Sequence, residues 1–156
     1  MYSLEKHQSA SSNRCILKAA EIGSLMFENK EMLKNSIKIH EEIGREYLRN
    51  NLMRFSAKTL FVKNVMIFFL LEDDVGAEKS LEEYSSLDNS LYNSTEYKFM
   101  KKVIICMREG NKDQFETECV ELNKRMTLDK WWIAVLSQIK GSMNDPQNAI
   151  EDFDPL

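Results

Sequence analysis

Residues that interrupt regular structure are scarce in this chain. Its 156 residues include only 5 glycines and 2 prolines, the residue types that punctuate β-sandwiches and loop-rich folds. Their scarcity favours long helices joined by short turns. No stretch alternates polar and apolar residues over the length of a strand, so we predict no β-sheet.

Residues typical of metal, disulfide and catalytic sites are also sparse. Cys15, Cys106 and Cys119 form no CxxC pair and no cluster with His7 or His40, so neither a disulfide framework nor a zinc site is expected. Reduced, mostly buried thiols are favoured over a redox role. Because no P-loop, HExxH or G-x-S-x-G sequence is present, we expect no enzyme activity, no cofactor and no metal.

Strongly basic charge and long apolar runs are missing as well. A formal net charge of −4 argues against nucleic-acid binding and is compatible with a basic protein partner. The richest apolar stretch, residues 60–71, contains Lys63 and Asn64 and is shorter than the roughly 20 apolar residues that cross a bilayer. It is therefore predicted to be a buried core helix. The polar N-terminus predicts no signal peptide.

Apolar residues recur at helical spacing along most of the chain and predict seven helices. The first is expected to be capped by Ser11, Ser12 or Asn13. The third, at about residues 52–72, is the most apolar and should be the most enclosed. Residues 88–94 (DNSLYNS) are rich in turn formers and are predicted to be a loop.

Antiparallel pairs of these helices would occupy about 40 residues each, the size of one unit in a helical-repeat array. The predicted fold is all-α, with TPR-like or α-solenoid helix pairs that end in a C-terminal helical bundle. We divide the chain into a polar lead-in (residues 1–9), a single helical domain (10–141) and a flexible acidic tail (142–156). Trp131 and Trp132 are neighbours on one helix, so one is expected in the core and the other at a second contact.

Two acidic segments are candidate binding sites. Residues 72–74 (EDD) could bind a cation or a basic partner, but such a triplet is more often a solvated helix terminus. The tail at residues 144–156 (NDPQNAIEDFDPL) has the composition of a flexible chain end. Ile150, Phe153 and Leu156, however, place apolar groups at three-residue steps among its acids. Apolar anchors in an acidic segment are typical of a short motif that docks on a basic, partly hydrophobic surface.

Several segments, in order, resemble the SNAP family, the soluble attachment proteins that couple the NSF ATPase to SNARE bundles. Residues 12–20 (SNRCILKAA) are similar to the family's SNKCxxKxA, and residues 39–44 (IHEEIG) and 51–58 (NLMRFSAK) to its YEEIG and LLKYSAK. Residues 94–102 (STEYKFMKK) resemble SREYKLLKK, and residues 126–131 (MTLDKW) resemble (R/T)LDxW. Order and spacing agree over nearly the whole chain, which resembles the C-terminal half of the longer family members.

The resemblance implies a non-enzymatic adaptor. Such a protein lies along a syntaxin-like SNARE four-helix bundle and presents its C-terminal part to the N-domains of an NSF-type AAA ATPase, which then unwinds the bundle. It would be cytoplasmic and would reach membranes peripherally, through its partners. The family's SNARE-facing side is basic, and Arg14 and Lys58 occupy matching positions here.

Toward the ATPase, the family offers acids and a C-terminal leucine. The matching residues here are Asp73, Asp74, Glu109, Glu151, Asp152, Asp154 and Leu156. Ile105 and Arg108 replace residues that are acidic in some relatives, which should weaken or reshape this face. An Asp-Pro step before Leu156 stiffens the tail and changes how the leucine is presented.

Two other functions stay open at this point. The chain could be a truncated SNAP-like regulator or decoy, which binds the ATPase but fails to drive SNARE disassembly. It could also be a generic helical-repeat scaffold for unrelated peptides. A concave groove lined by aromatic side chains would favour the scaffold.

Overall fold

The computed structural model describes residues 2–143, with side chains from residue 12 onward. These residues form eight helices and no strand, which confirms the all-α prediction. The helices are α1 (Tyr2–Gly23), α2 (Lys30–Leu48), α3 (Arg54–Leu70), α4 (Asp74–Leu87), α5 (Asn89–Tyr92), α6 (Thr95–Glu109), α7 (Lys112–Arg125) and α8 (Lys130–Ser142). All except the one-turn α5 correspond to the seven predicted helices.

Polar residues in the connecting turns start most of the helices. Five helices begin after a residue whose side-chain oxygen accepts a hydrogen bond from the backbone N–H three residues on: Asn29, Asp73, Ser94, Asn111 and Asp129. Each cap satisfies a donor that the helix itself leaves unpaired. Gly110 ends α6 in the left-handed region with φ of 64°, where glycine carries no Cβ penalty.

Two predicted boundaries are wrong. Helix α1 already begins at Tyr2, so the start expected at residues 11–13 is incorrect, and the helix passes through the proposed lead-in. No glycine or proline interrupts this stretch, and most of its residues are compatible with a helix. Residues 88–94 are not loop throughout, because Asp88 accepts a hydrogen bond from the Ser90 N–H at 3.0 Å and caps the one-turn α5.

Helix α3 lies at the centre of the fold. Nine of its 17 residues are buried, and it contacts α2, α4, α6 and α8. The prediction that this helix is the most enclosed is therefore confirmed. Among residues 2–143, no helix combines the length and the apolar character needed to cross a bilayer.

Consecutive helices pack against one another as hairpins. The chain runs from α1 to α4 through neighbouring pairs, and α6, α7 and α8 continue the series. Short connections of this kind join antiparallel neighbours. Because α6 and α8 also fold back on α3, the array closes into a bundle, as predicted.

A buried hydrogen-bond network joins α2, α3 and α4. The Asn64 side-chain amide donates to the Ile37 carbonyl at 2.8 Å and to the Tyr84 hydroxyl at 3.1 Å. Its oxygen therefore faces His40 Nδ1, 3.0 Å away, and the imidazole carries a proton on that nitrogen. Burial is the main cause that lowers the pKa of His40 from 6.5 to about 4. Burial also raises the pKa of Tyr84 to about 12.

Gly44 allows α2 to approach α3 closely. A Cβ at this position would lie 2.7 Å from Phe61 Cε1, too close for any side chain. The Phe61 ring in turn stacks on Tyr84, with centroids 4.5 Å apart. The glycine in the IHEEIG segment thus has a packing role.

Aromatic rings join α6, α7 and α8. The Phe99 centroid lies 6.5 Å from that of Phe115 and 6.4 Å from that of Trp132. Trp131 and Trp132 are only 4% and 7% exposed, and they pack at two different contacts, as expected for neighbours on one helix. Both are buried because α8 is covered on two sides, with Trp132 against Phe99 of α6 and the Trp131 indole N–H donating to Ser24 Oγ at 2.8 Å.

Candidate binding surfaces

Helix ends gather at two opposite sides of the bundle. Lys58, near the start of α3, pairs with Glu96 in the first turn of α6, with Nζ and Oε2 3.5 Å apart. At the other end of α6, Arg108 bonds Asp74 in the first turn of α4. The 17 residues of α3 span about 25 Å at the α-helical rise, so the two sides are separated by roughly that distance.

We call the first side the basic end; it comprises Arg14, Leu52, Arg54, Phe55 and Lys58. Leu52 and Phe55 are 91% and 82% exposed, although both are large apolar residues, and exposed Arg54 lies between them in sequence. Exposed apolar groups beside cations suit a partner that offers both acidic and apolar side chains.

The two cations predicted to bind SNAREs both lie at the basic end. Glu21 of α1 and Lys63 of α3 form an ion pair 3.0 Å long, which fixes how the two helices align along their length. Arg14 lies about two turns before Glu21 on α1, so it lies near the level of the first turns of α3. Burial raises the pKa of the Tyr47 phenol, and nearby Arg14 opposes that rise, so Arg14 also lies near the last turn of α2. Its side chain is exposed.

Lys58 is more enclosed than the sequence suggested. Its side chain is only 20% exposed, and its pairing with Glu96 offsets its charge. Lys58 consequently offers a partner less net charge than Arg14 does. The sequence could not reveal this, because Glu96 lies 38 residues farther along the chain.

The sequence analysis did not identify Leu52 and Phe55 as candidate site residues. Both fall in the NLMRFSAK segment but were interpreted only as the apolar beginning of the third helix. A signal was available in the sequence, because Arg49, Arg54 and Lys58 surround these two residues. Cations are rarely interspersed among the residues of a buried core segment, so their presence indicates an exposed segment.

We call the opposite side the acidic end; it comprises Asp73, Asp74, Glu78, Arg108 and Glu109. Within it, Arg108 Nε donates to Asp74 Oδ2 at 2.7 Å. Nη1 and Nη2 donate to the two Glu78 oxygens at 3.2 Å each, a bidentate arrangement. Hydrogen bonding to Arg108 is the main cause that lowers the pKa of both carboxyl groups. We refer to these three side chains as the Arg108 clamp.

The other predicted acids at this end have different settings. Asp73 accepts a hydrogen bond from the Gly76 N–H at 2.8 Å and caps α4, as the plainer interpretation of residues 72–74 held. The preceding residue, Glu72, has a left-handed φ of 57°. Glu109 is exposed in the last turn of α6, and Ile105, one turn earlier, is exposed as well.

The remaining ATPase-facing candidates belong to the tail. Glu151, Asp152, Asp154 and Leu156 lie outside the described residues, as does the proposed tail from residue 144 onward. Their roles stay predictions. Ser142, where the tail was expected to begin, is the last residue of α8.

The other features that could form a site give less support for a binding or catalytic role. A groove of about 320 Å³ between α7 and α8 is lined by apolar and charged residues, and Phe115 is the one aromatic among them, unlike the aromatic-lined groove expected of a peptide scaffold. Within residues 2–143, no group of three or more His, Cys, Asp or Glu side chains could hold a metal ion. Cys106 is buried, Cys119 is half-buried and Cys15 is exposed, so the expectation of mostly buried thiols does not extend to Cys15. Burial raises the pKa of Cys106, and that of Cys119 to about 12.

Comparison with known proteins gives a consistent result. A family model described as "Soluble NSF attachment protein, SNAP" matches residues 1–144. The chain is 30% identical to an alpha-soluble NSF attachment protein of Dictyostelium discoideum over 139 residues, 89% of this chain and 46% of that protein.

Two further relatives show the same coverage. Identity to the vesicular-fusion protein SEC17 of Komagataella phaffii is 30% over 143 residues, 92% of this chain and 48% of that protein. Identity to the human alpha-soluble NSF attachment protein is 29% over 135 residues, 86% and 44% of the two chains. The chain thus spans about half the length of the curated relatives it matches.

Proposed function

This chain belongs to the soluble NSF attachment protein (SNAP) family, and from that premise we propose that it is a non-enzymatic adaptor in vesicle fusion and intracellular protein transport. One surface binds a SNARE four-helix bundle, and another recruits an NSF-type AAA ATPase that disassembles the bundle. The protein works in the cytoplasm and reaches membranes peripherally, through these partners.

The observation that carries this proposal is the separation of two unlike ends by the length of α3. An adaptor must hold two partners at once without one blocking the other. About 25 Å between the basic end and the acidic end leaves room for a partner at each. The opposite charges of the two ends also favour different partners and suppress exchange between them.

The basic end is the proposed SNARE-binding surface. Arg14 contributes an exposed guanidinium, while Leu52 and Phe55 supply the apolar contact that surface ion pairs lack. Exposed ion pairs contribute about 0–1 kcal/mol each, so charge alone gives little affinity. Buried aromatic and aliphatic anchors usually supply the larger share of binding energy.

The acidic end is the proposed ATPase-binding surface. Asp73 and Glu109 are exposed and lie at the N-terminus of α4 and the C-terminus of α6. The acidic residues of the tail and Leu156 would contribute further contacts to the same ATPase. The ATPase's N-domain, as the partner of this end, would present basic residues.

A binding experiment with two partners tests the proposal. The Leu52→Asp/Phe55→Asp double variant should weaken binding to a preassembled, syntaxin-containing SNARE bundle by about tenfold or more, because both anchors become charged. Its affinity for an isolated NSF N-domain should not change. Val120→Asp, at an exposed apolar position of α7, is the matched control and should leave both affinities intact.

The reciprocal variant is Asp73→Asn/Glu109→Gln, in which asparagine preserves the cap of α4. It should weaken N-domain binding severalfold, and more so at low salt, without affecting the SNARE bundle. Removal of Leu156 should act in the same direction. A variant that weakens both partners equally would contradict two separate surfaces, and a wild-type chain that binds neither partner would refute the adaptor role.

A regulator or decoy is the second candidate; the matched region is 44–48% of the length of these relatives. Such a protein would bind the ATPase and SNAREs without supporting disassembly. Adding the chain to SNARE bundle, NSF and ATP separates the two roles. Disassembly by this chain alone supports the adaptor, whereas inhibition of disassembly by a full-length SNAP supports the decoy.

A further inference from the structure

We infer that Arg108 is an internal competitor for the proposed ATPase-binding surface and that it determines how strongly this chain holds a basic partner. The inference rests on the proposed function of the acidic end. It assigns to Arg108 a specificity role that depends on the three hydrogen bonds of the Arg108 clamp.

The geometry supports this role directly. The Arg108 guanidinium uses three nitrogens, one on Asp74 at 2.7 Å and two on Glu78 at 3.2 Å. A basic partner would approach the same carboxylate oxygens with the same kind of donor. The acidic end therefore already holds, from within its own chain, a cation of the class that the partner would supply.

The consequence is a surface with fewer available acids than its sequence suggests. Asp74 and Glu78 face a cation of their own chain, whereas Asp73 and Glu109 lie outside the clamp. A partner must either bind around the clamp or displace Arg108 first. When only part of a population is competent to bind, apparent affinity falls by that fraction.

Lys101 offers a matched control on the same helix. It lies two turns before Arg108 and pairs with Glu82 of α4 at 2.8 Å, so it also links α6 to α4. Its side chain is 42% exposed, against 41% for Arg108. Lys101→Gln removes the same unit of charge from the same face of α6 but leaves the Arg108 clamp in place.

The test measures the Kd of the full chain for an isolated NSF N-domain by calorimetry at low salt. Arg108→Gln should strengthen binding by about threefold to tenfold, the range expected when two exposed ion pairs stop competing. Lys101→Gln should change the Kd by less than twofold. An unchanged Kd for R108Q, or equal strengthening by both variants, would overturn the inference, because the latter would reflect net charge alone.

A double-mutant cycle separates competition from simple repulsion of the partner by Arg108. Glu78→Gln should change the Kd by less than twofold in the wild type, where Glu78 is engaged, but should weaken binding about threefold or more in the R108Q background. Equal effects in both backgrounds would mean that the clamp does not mask Glu78. Arg108→Lys, which keeps the charge but loses the bidentate fork, should strengthen binding less than R108Q and serves if R108Q proves unstable.

The two levels of proposal fail in different ways. If the N-domain binds neither the wild type nor R108Q, the proposed ATPase surface is wrong, and the role of Arg108 with it. If both bind with the same Kd while the SNARE bundle still binds, only the role of Arg108 is wrong.

Discussion

The core of this protein is built differently in its two halves. Helices α2, α3 and α4 meet at a buried network in which Asn64 bonds both His40 and Tyr84. Helices α6, α7 and α8 meet through Phe99, Phe115 and the tryptophans of α8 instead. The first half depends on directional bonds between groups that must all be satisfied, and the second on large apolar areas with looser geometric demands.

This difference has a consequence for pH. A buried imidazole has to remain neutral, so the network half loses stability in acid, whereas α6, α7 and α8 contain no histidine. A directional bond also joins the two halves. The Trp131 indole N–H of α8 donates to Ser24 Oγ, in the turn between α1 and α2. Each of the following three changes tests one part of this comparison.

The largest effect is expected from Phe115→Ala. Phe115 is 1% exposed, and loss of its ring should lower the free energy of unfolding by about 3–5 kcal/mol. The loss should be the same at pH 7.5 and pH 5, measured by urea denaturation. Val120→Ala, an exposed position on the same helix, should stay within about 0.5 kcal/mol of wild type. A loss for F115A that varied with pH would break the distinction between the halves.

An intermediate effect is expected from pH itself. The folded state lowers the pKa of His40 from 6.5 to about 4, so the unfolded chain binds a proton first as the pH falls. Stability is therefore retained above about pH 6.5 and lost as the pH falls toward 4. Between pH 7.5 and pH 5 this group should cost about 2 kcal/mol of unfolding free energy.

His40→Asn isolates that contribution. The asparagine can face Asn64 but does not titrate, so this variant should lose about 2 kcal/mol less than wild type over the same pH interval. Its stability at pH 7.5 can be lower without affecting the comparison, because only the pH slope is used. Parallel curves for the two proteins would show that His40 is not the source of acid sensitivity.

The smallest effect is expected at the junction. Trp131→Phe keeps a buried aromatic ring but removes the indole N–H that donates to Ser24, and it should cost about 1 kcal/mol more than the corresponding change at Trp132. Trp132→Phe is matched because it deletes the same atoms, and within residues 12–143 the Trp132 indole makes no side-chain hydrogen bond. Equal losses would remove the argument that this bond joins the halves.

Local features of the fold could be predicted because their causes are local. Apolar spacing indicated the long helices, and the scarcity of glycine and proline indicated that short turns join them. The start of α1 was missed because a permissive sequence has no stop signal.

Much of the candidate site depends on contacts between distant segments. In the Arg108 clamp, Arg108 bonds Asp74 and Glu78, which lie 34 and 30 positions before it in the sequence. Lys58 of α3 pairs with Glu96 of α6, and α4 and α5 lie between the two residues in sequence. Such pairs depend on the packing register of the bundle, which no short motif specifies. The sequence could identify Arg108 as a departure from the family pattern but could not identify its partners.

The exposure of Cys15 makes this chain convenient for spectroscopic work. Thiolates, rather than thiols, react with maleimide dyes, and burial disfavours the thiolates of Cys106 and Cys119. A fluorophore added near neutral pH should therefore attach mainly to Cys15 on α1. Because Cys15 follows Arg14, the dye would sit beside the basic end and change its emission when a partner covers that surface, without any cysteine having to be introduced or removed.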